Sequence, residues 1–494
     1  MLKRIKQVLL CIAILSIITA CGHNDYYDNN ENDINGIYDL YENEYIFTIA
    51  CALYDLDFVV NILENNFALF DVAYRQRGVD IRQLSENARR AILESETMNY
   101  STFAGIMIGY FFPLVNLGHF RISIPPEMAR SGDIYIENPA TFALRALPYS
   151  ARGYIEALAK YKNLNLDNLM VLEFLMLAST PYEDFSEMLE VFYLTIGAEL
   201  TEKLQQALQE RNFESFVYFH EGLAIQPHHP LSTTVRILEE DKIGYIRIPS
   251  FMASPHTGAL SFNDEEKIFD FFYEIRNFEH LIIDLRGNGG GLVEPFFQIF
   301  IAPNISTSSI TDGFVFMIED SYDLRLARNI TSAIPASAPM ADTNAVMTVE
   351  EMLESGFYLP NLNLDDLYRF HYVLPFQTTV QPRRIGIFDN QPAFEGKIWI
   401  LTDRNMGSAA EIVARFVQQT GFATLVGDIT GGNFGGLRTT NHPLPNSPLR
   451  LTFDLFYVVD GQGRTFEEGT IPNHFRKPGK TTLETTLALI ADMP

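Results

Sequence analysis

A serine at a strand-to-helix junction offers nucleophilic chemistry. Ser408 lies in the run Asn405-Met-Gly-Ser-Ala-Ala-Glu-Ile412, directly after the apolar, strand-like residues 398–401. A buried strand, a tight turn through Gly407 and a serine at the first turn of an amphipathic helix place a hydroxyl where free backbone N–H groups and the positive helix end converge. This position suits a nucleophile for acyl transfer, although serine is also a favoured helix N-cap.

Two glycine-rich turns could complete such a site. Residues 281–291 and 425–432 are apolar strand-like runs that end in glycines, and a glycine backbone can approach a ligand closely. Acyl transfer develops negative charge on the carbonyl oxygen, which preorganised N–H donors stabilise. The amides of Ala409, Gly289 and Gly290 are the candidate donors for this oxyanion.

The three segments together resemble the tail-specific (C-terminal processing) serine peptidase superfamily, which includes the tricorn protease core. The resemblance covers roughly residues 241–480 as an ordered series of motifs. It begins with residues 242–251, similar to the entry strand of the family, and ends with residues 467–473, similar to its closing segment. It implies an α/β fold with a crotonase-like (ClpP-like) catalytic domain that hydrolyses peptide bonds.

The branch of the family determines the general base. The processing-protease branch uses a lysine 25 positions after the serine, and here that position is Asn433, an amide that cannot accept a proton. Residues 430–432 instead resemble the tricorn-like branch, which uses a histidine with a glutamate partner. In that branch the histidine lies far upstream, at the step from a helical segment into a strand. Residues 116–123, which include His119, are similar to that step. The resemblance therefore implies His119 as the base, with His220 as the reserve candidate.

Two adjacent glutamates in the closing segment could orient the imidazole. The resemblance implies Glu468, directly or through a bridging hydroxyl, and Glu467 stays open as the alternative. Neutral His119 would take the Ser408 proton during attack and pass it to the leaving amine. Asn473 stands where the family usually has aspartate. The competing hypothesis is a non-catalytic relative, a surface lipoprotein that binds peptides or a partner.

The first residues predict export and lipid anchoring. Three basic residues precede the apolar run 8–18, which is too short to span a bilayer comfortably. Its end, Ile18-Thr-Ala-Cys21, resembles the bacterial lipoprotein box. We therefore predict a lipoprotein signal peptide over residues 1–20, lipidation at Cys21 and a flexible acidic tether over residues 21–40. The protein would lie on the extracytoplasmic face of a bacterial membrane.

Composition limits the partners and cofactors. The formal net charge of −26 over 494 residues disfavours nucleic acid as a partner. Of three cysteines, Cys11 would leave with the signal and Cys21 would be lipidated, so we expect no intrachain disulfide. Paired-cysteine and His-Glu-x-x-His motifs are missing from the sequence, so we predict neither a metal nor a cofactor. The predicted partners are a peptide or protein substrate and the membrane, and the oligomeric state is not determined.

Hydrophobic periodicity divides the chain into two predicted domains. Residues 41–240 are predicted to be mainly helical, because apolar residues recur at three- and four-residue steps, as in 80–92. Many relatives carry a PDZ domain between the positions of His119 and Lys242, but this sequence does not show the glycine-rich carboxylate-binding loop of such a domain. Residues 241–494 form the predicted crotonase-like domain, with an insertion at about 303–394. The insertion either covers the active site or is a peripheral elaboration.

Overall fold

A computed structural model describes residues 47–115, 117–124, 233–251, 262–318, 340–341, 346–356, 358–384, 392–432 and 439–493. The predicted signal peptide, Cys21, the tether, His220 and Asn433 lie outside these residues. Within the described parts of the chain, no helix is both long and apolar enough to cross a membrane.

The described N-terminal residues are helical. The helices are α1 (Ile49–Asn66), α2 (Phe70–Arg77), α3 (Ile81–Leu93) and α4 (Tyr100–Phe111), followed by a 3-10 turn at Phe112–Leu114. The side chains of Thr48, Asp80 and Asn99 accept backbone N–H bonds at the starts of α1, α3 and α4. These N-caps explain where the three helices begin.

A six-stranded sheet forms the centre of the C-terminal half. The strands are β2 (Thr234–Glu239), β3 (Ile243–Arg247), β4 (His280–Asp284), β9 (Lys397–Thr402), β10 (Thr424–Gly427) and β14 (His474–Phe475). Their order in the sheet is β14-β10-β9-β4-β3-β2. Strand β2 is antiparallel to β3, and the other neighbours are parallel. Every residue of β3 and β4 is buried, which explains why both strands are largely apolar in sequence.

Helices cover both faces of this sheet. Helices α5 (Phe262–Glu274) and α8 (Ala409–Thr420) share one apolar core with the sheet, whereas α9 (Thr482–Ala491) packs in a second core that contains Trp399. Between β4 and the next strand, α6 (Glu294–Phe296) continues through a π-helical segment, Phe297–Ile301, into a 3-10 turn, Ala302–Asn304. The result is a three-layer α/β arrangement.

The predicted insertion contributes most of a second sheet. Its elements are β5 (Ser309–Met317), β6 (Met340–Ala341), β7 (Met347–Thr348), α7 (Val349–Glu354), a 3-10 turn at Leu364–Arg369 and β8 (Tyr372–Val380), and β13 (Tyr457–Asp460) joins from outside it. The strand order is β13-β5-β8-β6, with β7 also paired to β8. Phe316 and Val373 share one buried core with Phe67 and Phe103 of the N-terminal half. The insertion is therefore part of the core that joins the two halves.

A third sheet links the N-terminal helices to the C-terminal half directly. Strand β1 (Arg121–Ser123) pairs antiparallel with β12 (Arg450–Asp454), which pairs with β11 (Thr439–Pro443). Because β1 follows the α4 helix after a short turn, this pairing fixes the turn at residues 117–120 against the end of β12.

Candidate active site

Ser408 occupies a sharp turn between β9 and α8. Its backbone has φ 53° and ψ −124°, and its amide donates to the Gly432 carbonyl at 3.1 Å. A non-glycine residue in such a sparsely populated region costs about 1–3 kcal/mol, a cost that recurs at functional sites. Gly290 packs against this turn, because a Cβ added there would lie 2.7 Å from the Ser408 Cβ.

His119 lies within hydrogen-bonding distance of Ser408. Its Nε2 is 3.1 Å from the Ser408 Oγ, although the two residues are 289 positions apart in sequence. His119 and the preceding Gly118 both have positive φ, 50° and 56°. The structure therefore brings the predicted nucleophile and base together, through a tight turn held by the β1–β12 pairing.

The carboxylate that contacts the imidazole is Asp454, which the sequence analysis did not identify. Asp454 Oδ2 lies 2.7 Å from His119 Nδ1, and its side chain is fully buried. The Asp454 amide also donates to the Gly118 carbonyl at 2.7 Å. One residue at the end of β12 thus contacts both the side chain of His119 and the backbone before it. The available signal was an acid that follows a strand-like alternation of apolar residues, Leu449, Leu451 and Phe453.

Glu468 does not contact the imidazole, so its sequence-based placement is corrected. Its half-exposed carboxylate binds Arg75 of α2 at 2.8 Å. The alternative, Glu467, is buried, and its Oε2 accepts the Gly118 amide at 3.0 Å. Its other oxygen has no hydrogen-bond partner among the described residues. Glu467 therefore holds the backbone beside His119.

Burial and charge shift the pKa values of these groups. Burial raises the pKa of Glu467 to about 7, and the nearby Asp454 carboxylate adds to the rise. Burial lowers the pKa of His119, but the charge and hydrogen bond of Asp454 outweigh it, so the net shift is upward. Asp454 therefore favours the imidazolium form of His119, as a general base requires once it has taken a proton.

The candidate oxyanion donors differ in availability. The Gly290 amide donates to Asn288 Oδ1 at 2.9 Å, so the prediction for this amide is corrected. Ala409 is the first residue of α8, where helix amides have no partner in the preceding turn. A Cβ at Gly290 would lie 2.8 Å from the Ala409 amide nitrogen, so the turn and the helix start are in close contact. Ala409 and Gly289 stay the predicted donors.

Arg286 and Asn288 brace the glycine turn. The fully buried Arg286 binds Asp284 through Nε at 2.9 Å and Nη2 at 2.6 Å. Burial alone would raise the pKa of Asp284, but Arg286 lowers it to about 2. The Asn288 side chain donates to the Ile248 carbonyl at 3.0 Å.

A buried ionic network under α8 was not found from the sequence. Glu411 accepts hydrogen bonds from Thr430 and, at 2.6 Å, from Thr470. Arg415, one turn later, binds Asp460 at 2.8 Å. The network attaches helix α8 to the two segments that hold Gly432 and Glu467.

Comparisons with known proteins found distant structural relatives. No curated protein matches the chain. Among solved structures, mature CPAF complexed with lactacystin is 16% identical with a TM-score of 0.49, covering 86% of this chain and 94% of that one. A Parabacteroides merdae protein described as a peptidase is 16% identical with a TM-score of 0.45, covering 89% and 94%. The photosystem II D1 C-terminal processing protease is 15% identical with a TM-score of 0.28, covering 52% and 51%.

The family is identified from the C-terminal half of the chain. Residues 242–475 match the model of peptidase family S41. This segment contains Ser408, Asp454 and Glu467, and it confirms the resemblance stated from the motifs. Residues 242–475 therefore form a domain of peptidase family S41, the tail-specific peptidase superfamily.

Proposed function

We propose that the protein is a serine peptidase with Ser408 as nucleophile and His119 as general base. The observation that carries this proposal is one imidazole bridging two groups: Nε2 at 3.1 Å from the Ser408 Oγ and Nδ1 at 2.7 Å from Asp454. Nucleophile, base and orienting carboxylate at these distances suit acyl transfer.

The proposed reaction follows from these contacts. Neutral His119 accepts the Ser408 proton at Nε2 while Oγ forms a bond to the peptide carbonyl carbon. Asp454 accepts the Nδ1–H bond, which fixes the tautomer and stabilises the imidazolium. The amides of Ala409 and Gly289 stabilise the oxyanion. Protonated His119 then donates to the leaving amine as the C–N bond breaks, and water hydrolyses the acyl-enzyme by the same route.

The proposed location is the extracytoplasmic face of a bacterial membrane. The signal-like residues 1–20 and the lipobox ending at Cys21 support it, and the substrate would then be a peptide or protein outside the cytoplasm. Growth with an alkyne fatty acid tests the anchor. The native protein should incorporate the label and a Cys21→Ala variant should not, whereas equal labelling of both would refute lipidation at this residue.

A fluorophosphonate probe tests the peptidase proposal without a known substrate. The full-length protein in detergent should be labelled, and Ser408→Ala and His119→Ala should each abolish labelling. Loss in Ser408→Ala but not in His119→Ala would assign another base, with His220 next. If folded native protein is not labelled, the non-catalytic binding role becomes the better hypothesis.

A further inference from the structure

Arg75 of α2 joins three segments of the chain that are distant in sequence. It donates to Glu468 Oε1 at 2.8 Å and makes two bonds to Asp366, at 2.9 and 2.6 Å. Asp366 is buried in the 3-10 turn of the insertion and also accepts the Tyr457 hydroxyl at 2.9 Å. The two bonds to one carboxylate hold the guanidinium in a fixed orientation.

The turn that Arg75 contacts is the one that carries Glu467. Phe466–Glu468 is a single 3-10 turn, so its two glutamates share one short backbone segment. Glu468 faces Arg75, whereas Glu467 accepts the amide of Gly118 at 3.0 Å. A continuous series of contacts therefore runs from Arg75 through both glutamates to the residue before His119.

A second arginine of α2 contacts the segment that leads to Gly118 and His119. Arg77 Nη1 donates to the carbonyls of Pro113 at 3.2 Å and Val115 at 2.8 Å, on the approach to His119. Both arginines lie in the last turn of α2, where positive side chains also suit the negative helix end. The end of α2 thus contacts both the segment that leads to His119 and the turn that carries Glu467.

We propose that Arg75 is a positioning residue for the reaction, acting through Glu468 and Glu467 on the backbone that holds His119. The N-terminal helices then influence the reactivity of Ser408, because the position of α2 determines the contacts that Arg75 makes with the C-terminal half. This inference rests on the proposed peptidase function. An ion pair with a half-exposed carboxylate contributes little to stability, whereas a 1 Å misplacement of a catalytic group can cost about 100-fold in rate. The effect on reactivity should therefore exceed the effect on stability.

Two substitutions separate positioning from folding. Glu468→Gln removes the charge but leaves the partly buried Arg75–Asp366 pair. We expect the fluorophosphonate labelling rate to fall about 10-fold with an unchanged unfolding temperature. Arg75→Gln should lower the rate about 100-fold, and the double variant should be no slower, because both substitutions interrupt one series of contacts. Arg82→Gln, which breaks an exposed pair with Glu64, is the matched control and should keep the native rate.

A second readout does not depend on activity. In the Ser408→Ala protein with ¹³C-labelled histidine, His119 is assigned by its loss in His119→Asn. Adding Glu468→Gln should move the His119 titration to lower pH, because the charge of Glu467 would lie farther from the imidazole. Native labelling rates and an unchanged titration in Glu468→Gln and Arg75→Gln would overturn the proposal, as would additive rate losses in the double variant. If the native protein is not labelled, the peptidase proposal fails, and the titration still tests Arg75.

Discussion

Asp454→Asn tests whether Asp454 orients the base. The carboxylate is fully buried and lies 2.7 Å from Nδ1, so it makes a charge-assisted hydrogen bond to the imidazolium. Such bonds contribute about 1.5–3 kcal/mol, equivalent to about 1–2 pKa units. Because Asp454 contributes more than any other group to raising the pKa of His119, its loss should lower that pKa by about this amount.

The substitution should also slow the reaction. The introduced side-chain amide can donate to Nδ1, which leaves the proton on Nε2 and prevents it from accepting the Ser408 proton. A wrong tautomer costs about 10⁴-fold in serine peptidases, so we expect the labelling rate at neutral pH to fall by about 10³–10⁴-fold.

The assay is the rate of fluorophosphonate labelling between pH 4 and 9, a range of about 2 to 3 units on either side of an ordinary histidine pKa. The rate should rise as His119 loses its proton, so the midpoint of the residual rate in Asp454→Asn should lie about 1–2 units lower than in the native protein. Glu265→Gln, an acid on α5 paired with Arg383, is the control and should change neither quantity. A native rate and midpoint in folded Asp454→Asn would refute the role of Asp454 and favour Glu467.

Three further predictions concern backbone conformation and pH. Ser408→Gly should be more stable than Ser408→Ala by about 1 kcal/mol in equilibrium urea unfolding, because both lose the hydroxyl but only glycine is unstrained at φ 53°; equal stabilities would contradict the strain. Gly118→Ala should lower stability by about 1–3 kcal/mol and slow labelling, because its Cβ would lie 2.5 Å from Leu69 Cδ1 at φ 56°; a native unfolding midpoint and labelling rate would refute this. Glu467 has a raised folded pKa of about 7, so its stabilising contribution is present below its unfolded pKa and is lost as pH rises through 7. The unfolding free energy of native protein should therefore fall between pH 5 and 8 by up to about 3 kcal/mol relative to Glu467→Gln, and parallel curves would show that this carboxyl does not titrate there.

The sequence was most informative where function requires a local pattern. Ser408 was found because strand, glycine turn and helix are contiguous in the chain. The buried strands of the central sheet were visible as apolar runs, since both faces of that sheet are covered. His119 was identified through its resemblance to a motif. Its closeness to Ser408 depends on the packing of the N-terminal helices against the insertion and β12.

The tertiary structure decided which acid meets the imidazole and which amide is engaged. Glu467 and Glu468 are adjacent and chemically identical in sequence, yet the 3-10 turn places one in the interior and the other on Arg75. Asp454 is 335 positions from His119, and the pairing of β1 with β12 brings the two segments together. Likewise, the sequence makes the Gly290 amide a plausible oxyanion donor, but in the folded protein this amide donates to the Asn288 side chain. Local sequence determines which groups are present, whereas burial and pairing between distant segments determine their charge and their partners.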